Sequence, residues 1–242
     1  MSPRKTPENR IPNIVKAAFV VFSEKGYMKT KMEEIAAEAG ISKGTLYYYF
    51  VSKAHLFYYL LQNGIVETGE KIQNPEDSAG VSEWDILENI EKRLMSLNKM
   101  ESTKLLIKNE KKGSIDIKGE LKTIIDEIWG IIEKNGMMII LLERSHAEFP
   151  DLSNLFKTRG TERMFNLFDE YLKSRIKLNA ISIWPFTSTM LISRMLIETI
   201  SWFGWKGHRD GKGGVISREE LVDGLASFFA RGLKDEGEIG KR

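Results

Sequence analysis

The sequence predicts an all-α protein, on three observations. Apolar residues recur three and four positions apart in one segment after another, which is the period of an amphipathic helix. No segment alternates apolar and polar residues as a half-buried strand would. Cap residues punctuate the periodic runs, with Thr30, Ser42, Ser52 and Ser217 at helix starts and Gly26 and Gly40 at helix ends.

The 242 residues suffice for one large or two small domains, and 42% hydrophobic with 29% charged residues is a globular balance. The absence of cysteine excludes a disulfide framework and a thiolate metal site, and it fits a reducing cytoplasm, the expected location. The first ten residues, MSPRKTPENR, lack the apolar core of a signal peptide, and the most apolar run, 137–142, is too short to span a bilayer. Residues 1–55 hold nine Lys/Arg and five Asp/Glu, a net +4 that leaves −2 for the remainder. A basic N-terminal part on a mildly acidic body suits a nucleic-acid-binding head.

In chain order, residues 1–9 read as a polar arm. Helix one is expected over 11–25, with Ile14, Ala18, Val21 and Phe22 inward, Pro12 in its first turn and Gly26 at its end. Thr30, with Glu33 three residues on, reads as the capping box of helix two. Ser42 caps helix three, and Leu46 and Phe50 supply its buried face. Ser52 caps a fourth helix expected to reach Gln73. A loop follows at 74–81, then an amphipathic helix carrying Trp84, Leu87, Ile90, Leu94 and Leu97, a further helix over 101–111 and a loop at 111–119. Next come a helix from Glu120 ending at Asn135-Gly136, a central helix over 137–149 broken by Pro150, and a helix over 152–178. The last elements are a long apolar helix over 186–205, a connector at 207–214, and a helix over 218–233 capped by Ser217 with Glu220.

Residues 31–50 organise the rest. Ala36 is small where a second helix would cross closely, Gly40 turns the chain, and Leu46 fills the angle between the two helices, which is helix-turn-helix spacing. The flanks extend the pattern: Ala17-Ala18, Phe22, Gly26-Tyr27, Thr30, Ile35-Ala36, Gly40-Ile41-Ser42-Lys43-Gly44-Thr45-Leu46-Tyr47, Tyr49-Phe50 and Ser52-Lys53. This run resembles the tetracycline-repressor (TetR) family of transcriptional regulators over roughly residues 10 to 62. Pro12, Ala54 (a frequent acid in the family) and Tyr48 (commonly His) depart from the pattern, and the 74–119 segment is its least family-like part.

Thr30, Ser42 and Ser52 each mark a helix start, whose free N–H groups suit phosphate. The resemblance implies that Lys43, Gly44, Thr45, Tyr47, Tyr48 and Lys53 face DNA. A missing side chain at Gly44 lets the helix lie deep in a groove, and Thr45 can offer a hydroxyl or a methyl to a base edge. Tyr49, three residues from Leu46, reads as core. The resemblance further implies a homodimer joined by its last two helices in a four-helix bundle. Independently, those helices carry wide apolar faces that include Trp202, Phe203, Phe228 and Phe229. Trp129, Met138, Phe165 and Phe168 are candidates for lining an effector pocket, plain core being the other reading of each.

Enzyme readings find no support. His55, His146 and His208 lack metal-ligand spacing, no nucleophile motif is present, and GHRDGKGG at 207–214 lacks the phosphate-loop spacing and a preceding strand. Glu143-Arg144-Ser145-His146 reads as a surface or dimer-facing charge cluster, and Arg194 and Glu198 as a surface ion pair or, if their helix is buried, a buried polar link or a ligand handle. The expected organisation is a three-helix helix-turn-helix head at 1–55 and a helical-bundle domain at 56–242 that binds effector and dimerises. The expected function is sequence-specific regulation of transcription, as a repressor on a palindromic operator released by a small apolar or aromatic effector. No cofactor, metal or membrane partner is expected. The alternative is a helical ligand- or partner-binding protein that uses the helix-turn-helix as scaffold only; Lys43 and Lys53 at two helix starts speak against it.

Overall fold

The structure of the chain, a computed structural model, describes residues 10–63, 88, 91–92, 99–109, 115–209 and 216–233. The N-terminal arm, the far end of the fourth helix, the 74–81 loop, most of the helix expected around 84–97 and most of the 207–214 connector lie outside the described residues. Among the described residues every regular element is a helix: α1 (Arg10–Lys29), α2 (Met32–Glu38), α3 (Lys43–Tyr49), α4 (Lys53–Asn63), α5 (Glu101–Lys108), α6 (Ile117–Arg144), α7 (Pro150–Leu155), α8 (Glu162–Lys177), α9 (Thr189–Arg209) and α10 (Arg218–Gly232), with a π-helical turn at Phe156–Thr161 ahead of α8. None of the described helices is long and apolar enough to cross a membrane.

The chain packs as two compact units, one of residues 1–94 with 135–156 and one of residues 95–134 with 157–242. The boundary between them falls inside α6. The functional division expected at residue 55 therefore does not coincide with the compact units, because Leu56, Phe57, Leu60 and Leu61 of α4 belong to the head's core.

In the first unit Ile14, Ala18 and Phe22 of α1 pack with Ile35 and Ala36 of α2, Leu46 of α3, Phe50, Leu56 and Leu60. Met138, Leu141 and Leu142 from the end of α6 complete the same cluster. Ile14, Phe22, Ile35, Leu46 and Leu56 are fully buried, and each such side chain contributes about 1.5–3 kcal/mol. An aromatic cluster joins the two pieces of chain: Tyr27 lies 5.0 Å from both Phe57 and Phe149, and Phe57 stacks on Phe149 at 5.7 Å.

In the second unit Leu121, Ile124, Ile125 and Ile128 of α6 meet Phe165, Phe168 and Leu172 of α8, Leu196, Ile197 and Ile200 of α9, and Leu221, Ala226 and Phe229 of α10. Two polar knots fix it. The fully buried Arg175 donates to Glu120 through Nε (2.7 Å) and one terminal nitrogen (3.1 Å), and to the Leu106 carbonyl at the end of α5. Tyr171 donates to the same carboxylate at 2.9 Å, and burial, with that carboxylate alongside, drives its phenol pKa far up. Glu127 of α6 closes the start of α5, accepting from the backbone N–H of Ser102 (2.9 Å) and Thr103 (3.1 Å) and from the Thr103 hydroxyl (2.8 Å). That places a carboxylate where the positive end of the helix dipole favours one.

Several expected boundaries move. Asn135-Gly136 does not end a helix: α6 runs on to Arg144, and both residues are buried within it. An interior glycine costs about 1 kcal/mol, which burial of Ile132, Met138 and Leu141 on either side outweighs. The 152–178 helix is divided by the π-helical turn, and Pro150 starts α7. The penultimate helix begins at Thr189, with Ser188 accepting from the Leu191 N–H at 3.1 Å, because Phe186 adopts φ 68, outside helical space. Ser52 and Ser217 cap as expected, accepting from His55 (3.0 Å) and Glu220 (3.1 Å). Ser145 is not a surface residue: it is buried, while Glu143, Arg144 and His146 around it are exposed. Arg194 is exposed and lies 4.6 Å from the centre of the Phe165 ring.

Candidate nucleic-acid interface

The reading unit is set by its turn. The Ile41 N–H bonds the Ala36 carbonyl (2.9 Å) and the Gly40 N–H bonds that of Ala37 (3.1 Å), with Gly40 at φ 65, a Schellman cap that stops α2 and turns the chain. Leu46 fills the angle between α2 and α3 and is fully buried, as are Ile35 and Phe50. At the start of α3 the Ser42 hydroxyl accepts from the Thr45 N–H (3.1 Å) and shares a 2.8 Å hydrogen bond with the Thr45 hydroxyl.

This anchoring turns one face of α3 outward. Tyr48 is 82% exposed and Tyr47 38%. Lys43 and Gly44 are exposed, Thr45 is half-buried, and Tyr49 packs against the core as expected. Gly44 has no positive φ, and a Cβ there would meet nothing closer than Ser42 Oγ at 3.9 Å. The fold does not require a glycine at this position. Lys43 is ion-paired with Glu33 of α2, and its Nζ lies 5.7 Å from the Tyr47 ring centre. The pairing raises the Lys43 pKa, and the Lys43 hydrogen bond lowers that of Glu33.

Two of the expected contact residues face inward instead. Thr30 does not cap α2: it is buried, and its hydroxyl donates to the Gly26 carbonyl at 2.7 Å. The N-cap is Lys31, whose N–H donates to Glu34 at 3.0 Å, so Glu34 and not Glu33 closes the capping box. Lys53 donates to the carbonyls of Tyr27 (2.8 Å), Thr30 (3.0 Å) and Met28 (3.3 Å), and its Nζ sits 4.4 Å from the Tyr27 ring centre. These bonds close the carbonyl end of α1 where Gly26 breaks it at φ 76. Tyr27 is held from the other side too, its N–H donating to Ser145 Oγ (3.2 Å) and Glu148 Oε2 (3.1 Å). A Cβ on Gly26 would lie 3.1 Å from the Arg144 carbonyl oxygen, so the break needs glycine for space as well as for φ.

The other candidates separate. Met138 lies in the core of the first unit, while Trp129, Phe165 and Phe168 belong to that of the second. Of the expected interface residues, Trp202 and Phe228 are exposed, Phe229 is buried, and Phe203 packs against the second core. Leu191 and Met195 continue the exposed stripe of Trp202 along α9. Among the described residues no group of His, Asp and Glu could hold a metal ion. Sequence reasoning missed Glu33 as a partner of Lys43, and it missed Ser145 and Glu148 as partners of the head.

Known proteins resemble this head. The model of the family described as bacterial regulatory proteins, tetR family, matches residues 14–60. YfiR of Bacillus subtilis (strain 168), an uncharacterized HTH-type transcriptional regulator, is 33% identical over 84 residues, 34% of this chain and 41% of that protein. HbdR of Aromatoleum sp. (strain CIB), an HTH-type transcriptional regulator, is 39% identical over 67 residues, 28% of this chain and 29% of that protein. The chain thus spans less than half the length of these relatives. Two solved structures share the fold. One is the ketosteroid transcriptional regulator KstR2 of Mycobacterium tuberculosis, with a TM-score of 0.54 at 16% identity over 96% of this chain and 98% of that one. The other is the TetR family regulator PfmR of Thermus thermophilus, with 0.50 at 17% identity over 92% and 99%. The head is similar to those of helix-turn-helix transcriptional regulators, and the fold is shared with the two solved structures. Within that head, the similarity is to the tetR family of bacterial regulatory proteins.

Proposed function

We propose that this protein is a sequence-specific DNA-binding regulator of transcription, a repressor that binds a palindromic operator as a homodimer. In this reading residues 1–55 read DNA, and residues 56–242 bind a small effector and dimerise. The observation that carries the reading is Gly44, an exposed glycine in the first turn of α3 that the fold does not need, flanked by Lys43 and the exposed Tyr47 and Tyr48. A glycine in a helix costs up to about 1 kcal/mol of stability relative to alanine, and close approach of a duplex gives that cost a purpose. The contact set becomes Ser42, Lys43, Gly44, Thr45, Tyr47 and Tyr48. Thr30 leaves it because it is buried, and Lys53 because carbonyls occupy its ammonium group.

The dimer rests on the exposed stripe Leu191, Met195 and Trp202 of α9 with Phe228 of α10, apolar surface that a second copy would cover. The effector is expected to be apolar or aromatic, since the second unit's interior is built from Ile, Leu, Phe and Tyr. Selection of bound duplexes from a random pool tests the central claim. A palindromic site, with affinity falling steeply as salt rises, is expected; recovery of no preferred sequence would overturn it. Titration of thermal-shift hits with and without operator tests the effector, because a releasing ligand binds the DNA-bound protein more weakly by the factor it costs DNA.

A further inference from the structure

The helix-turn-helix is more acidic than basic. Residues 31–50 hold two lysines and three glutamates, a net charge of −1 in a chain whose net charge is +2. Two of these acids sit on lysines: Glu34 on Lys25 at 2.9 Å and Glu33 on Lys43. Glu34 also caps α2 through the Lys31 N–H. Glu33 takes no part in that cap; its carboxylate holds the ammonium of Lys43, the first residue of the reading helix, beside the Tyr47 ring. Both partners are more than half exposed, and exposed pairs of this kind contribute little to stability. The first turn of α2 suits an acid, but the fold gives no reason for Glu33 to be paired with Lys43.

We infer that Glu33 is a specificity-determining residue that keeps Lys43 off the phosphate backbone and directs it to a base edge. This rests on the DNA-binding reading above. Non-specific binding is made of phosphate contacts. A lysine held by a neighbouring carboxylate must leave it before it can join them. At the preferred site the pair stays together, and Lys43 reaches guanine O6 and N7 from the position that Glu33 sets. Glu33 thus weakens binding to random sequence and leaves binding to the operator untouched, which widens the gap between them.

The test uses the full-length protein, the site recovered by selection and a scrambled duplex of equal length, with affinities measured across a salt series. Glu33→Gln keeps the shape and removes the charge. It should raise scrambled-duplex affinity about fivefold near 0.15 M salt and steepen that salt slope by about 0.9, the value of one phosphate contact. Operator affinity should not rise, so the specificity ratio falls. In a Lys43→Gln background the Glu33→Gln change should do nothing. An equal rise on both duplexes, a rise that persists without Lys43, or no change at all would overturn the assignment. Wild-type protein that failed to distinguish the two duplexes would instead overturn the DNA-binding reading itself.

Discussion

Gly44 and Lys53 resemble one another in the sequence, each a small signature near a helix start, yet they do opposite work. Gly44→Ala should raise stability by up to about 1 kcal/mol in a urea melt. It should also weaken operator binding about tenfold or more, about 1.4 kcal/mol, because the added methyl points outward where the duplex would lie. A gain in stability with unchanged affinity would remove α3 from the groove. Lys53→Met should do the reverse at the level of the fold. It strips a charged donor from the carbonyls of Tyr27 and Thr30 and should cost about 1.5–3 kcal/mol of stability, with the salt slope of DNA binding unchanged. A slope lowered by about one would return Lys53 to the phosphate contacts. The sequence does not separate Lys43 from Lys53. Both stand at helix starts, but the carbonyls that Lys53 meets lie 23 to 26 positions back along the chain. Thr30 misleads for the same reason: its partner is the carbonyl of Gly26 at the α1 break, not the start of α2.

At the scale of elements, α1 to α3 and the start of α4 are legible to within about a turn, because caps and glycines of local geometry mark them. Gly40 and Ser42 are the examples. Helix α6 is not. Asn135-Gly136 has the composition of a cap, and only the burial on both sides of it shows why the helix continues. The knot around Arg175 is equally invisible, since Glu120 lies 55 residues away. Arg175→Met should cost about 3–5 kcal/mol, the usual loss when one partner of a buried pair is removed. Adding Glu120→Gln should recover part of that in chemical denaturation. A single-variant loss below about 1 kcal/mol would mean that water replaces the guanidinium at the Glu120 carboxylate.

For the whole molecule, adjacent aromatic residues divide between inside and outside. Trp202 with Phe203, and Phe228 with Phe229, read in the sequence as one apolar face, yet only the first of each pair is exposed. Trp202→Asp combined with Phe228→Asp should therefore give a folded monomer by light scattering and helical content, with weak operator binding. Phe229→Asp should unfold the second unit instead. A double variant that remained dimeric would place the interface elsewhere.

The Tyr27 contacts bear on how this protein is made. Ser145, Glu148 and Phe149 complete the head, but a ribosome delivers them more than eighty residues after the end of α4 (Lys53–Asn63). Until then the nascent chain carries a reading unit with Tyr27 and Phe57 uncovered and the Tyr27 N–H lacking its native acceptors. A fragment ending at residue 63 should accordingly show fluctuating aromatic packing and early amide exchange around Gly26. Supplying residues 135–156 as a separate peptide should slow that exchange; a fragment already as protected as the full chain would show the late segment to be dispensable. The family match ends at residue 60, so the stretch that looks self-sufficient by alignment is, as a folding unit, a surface still waiting for its last strip of chain.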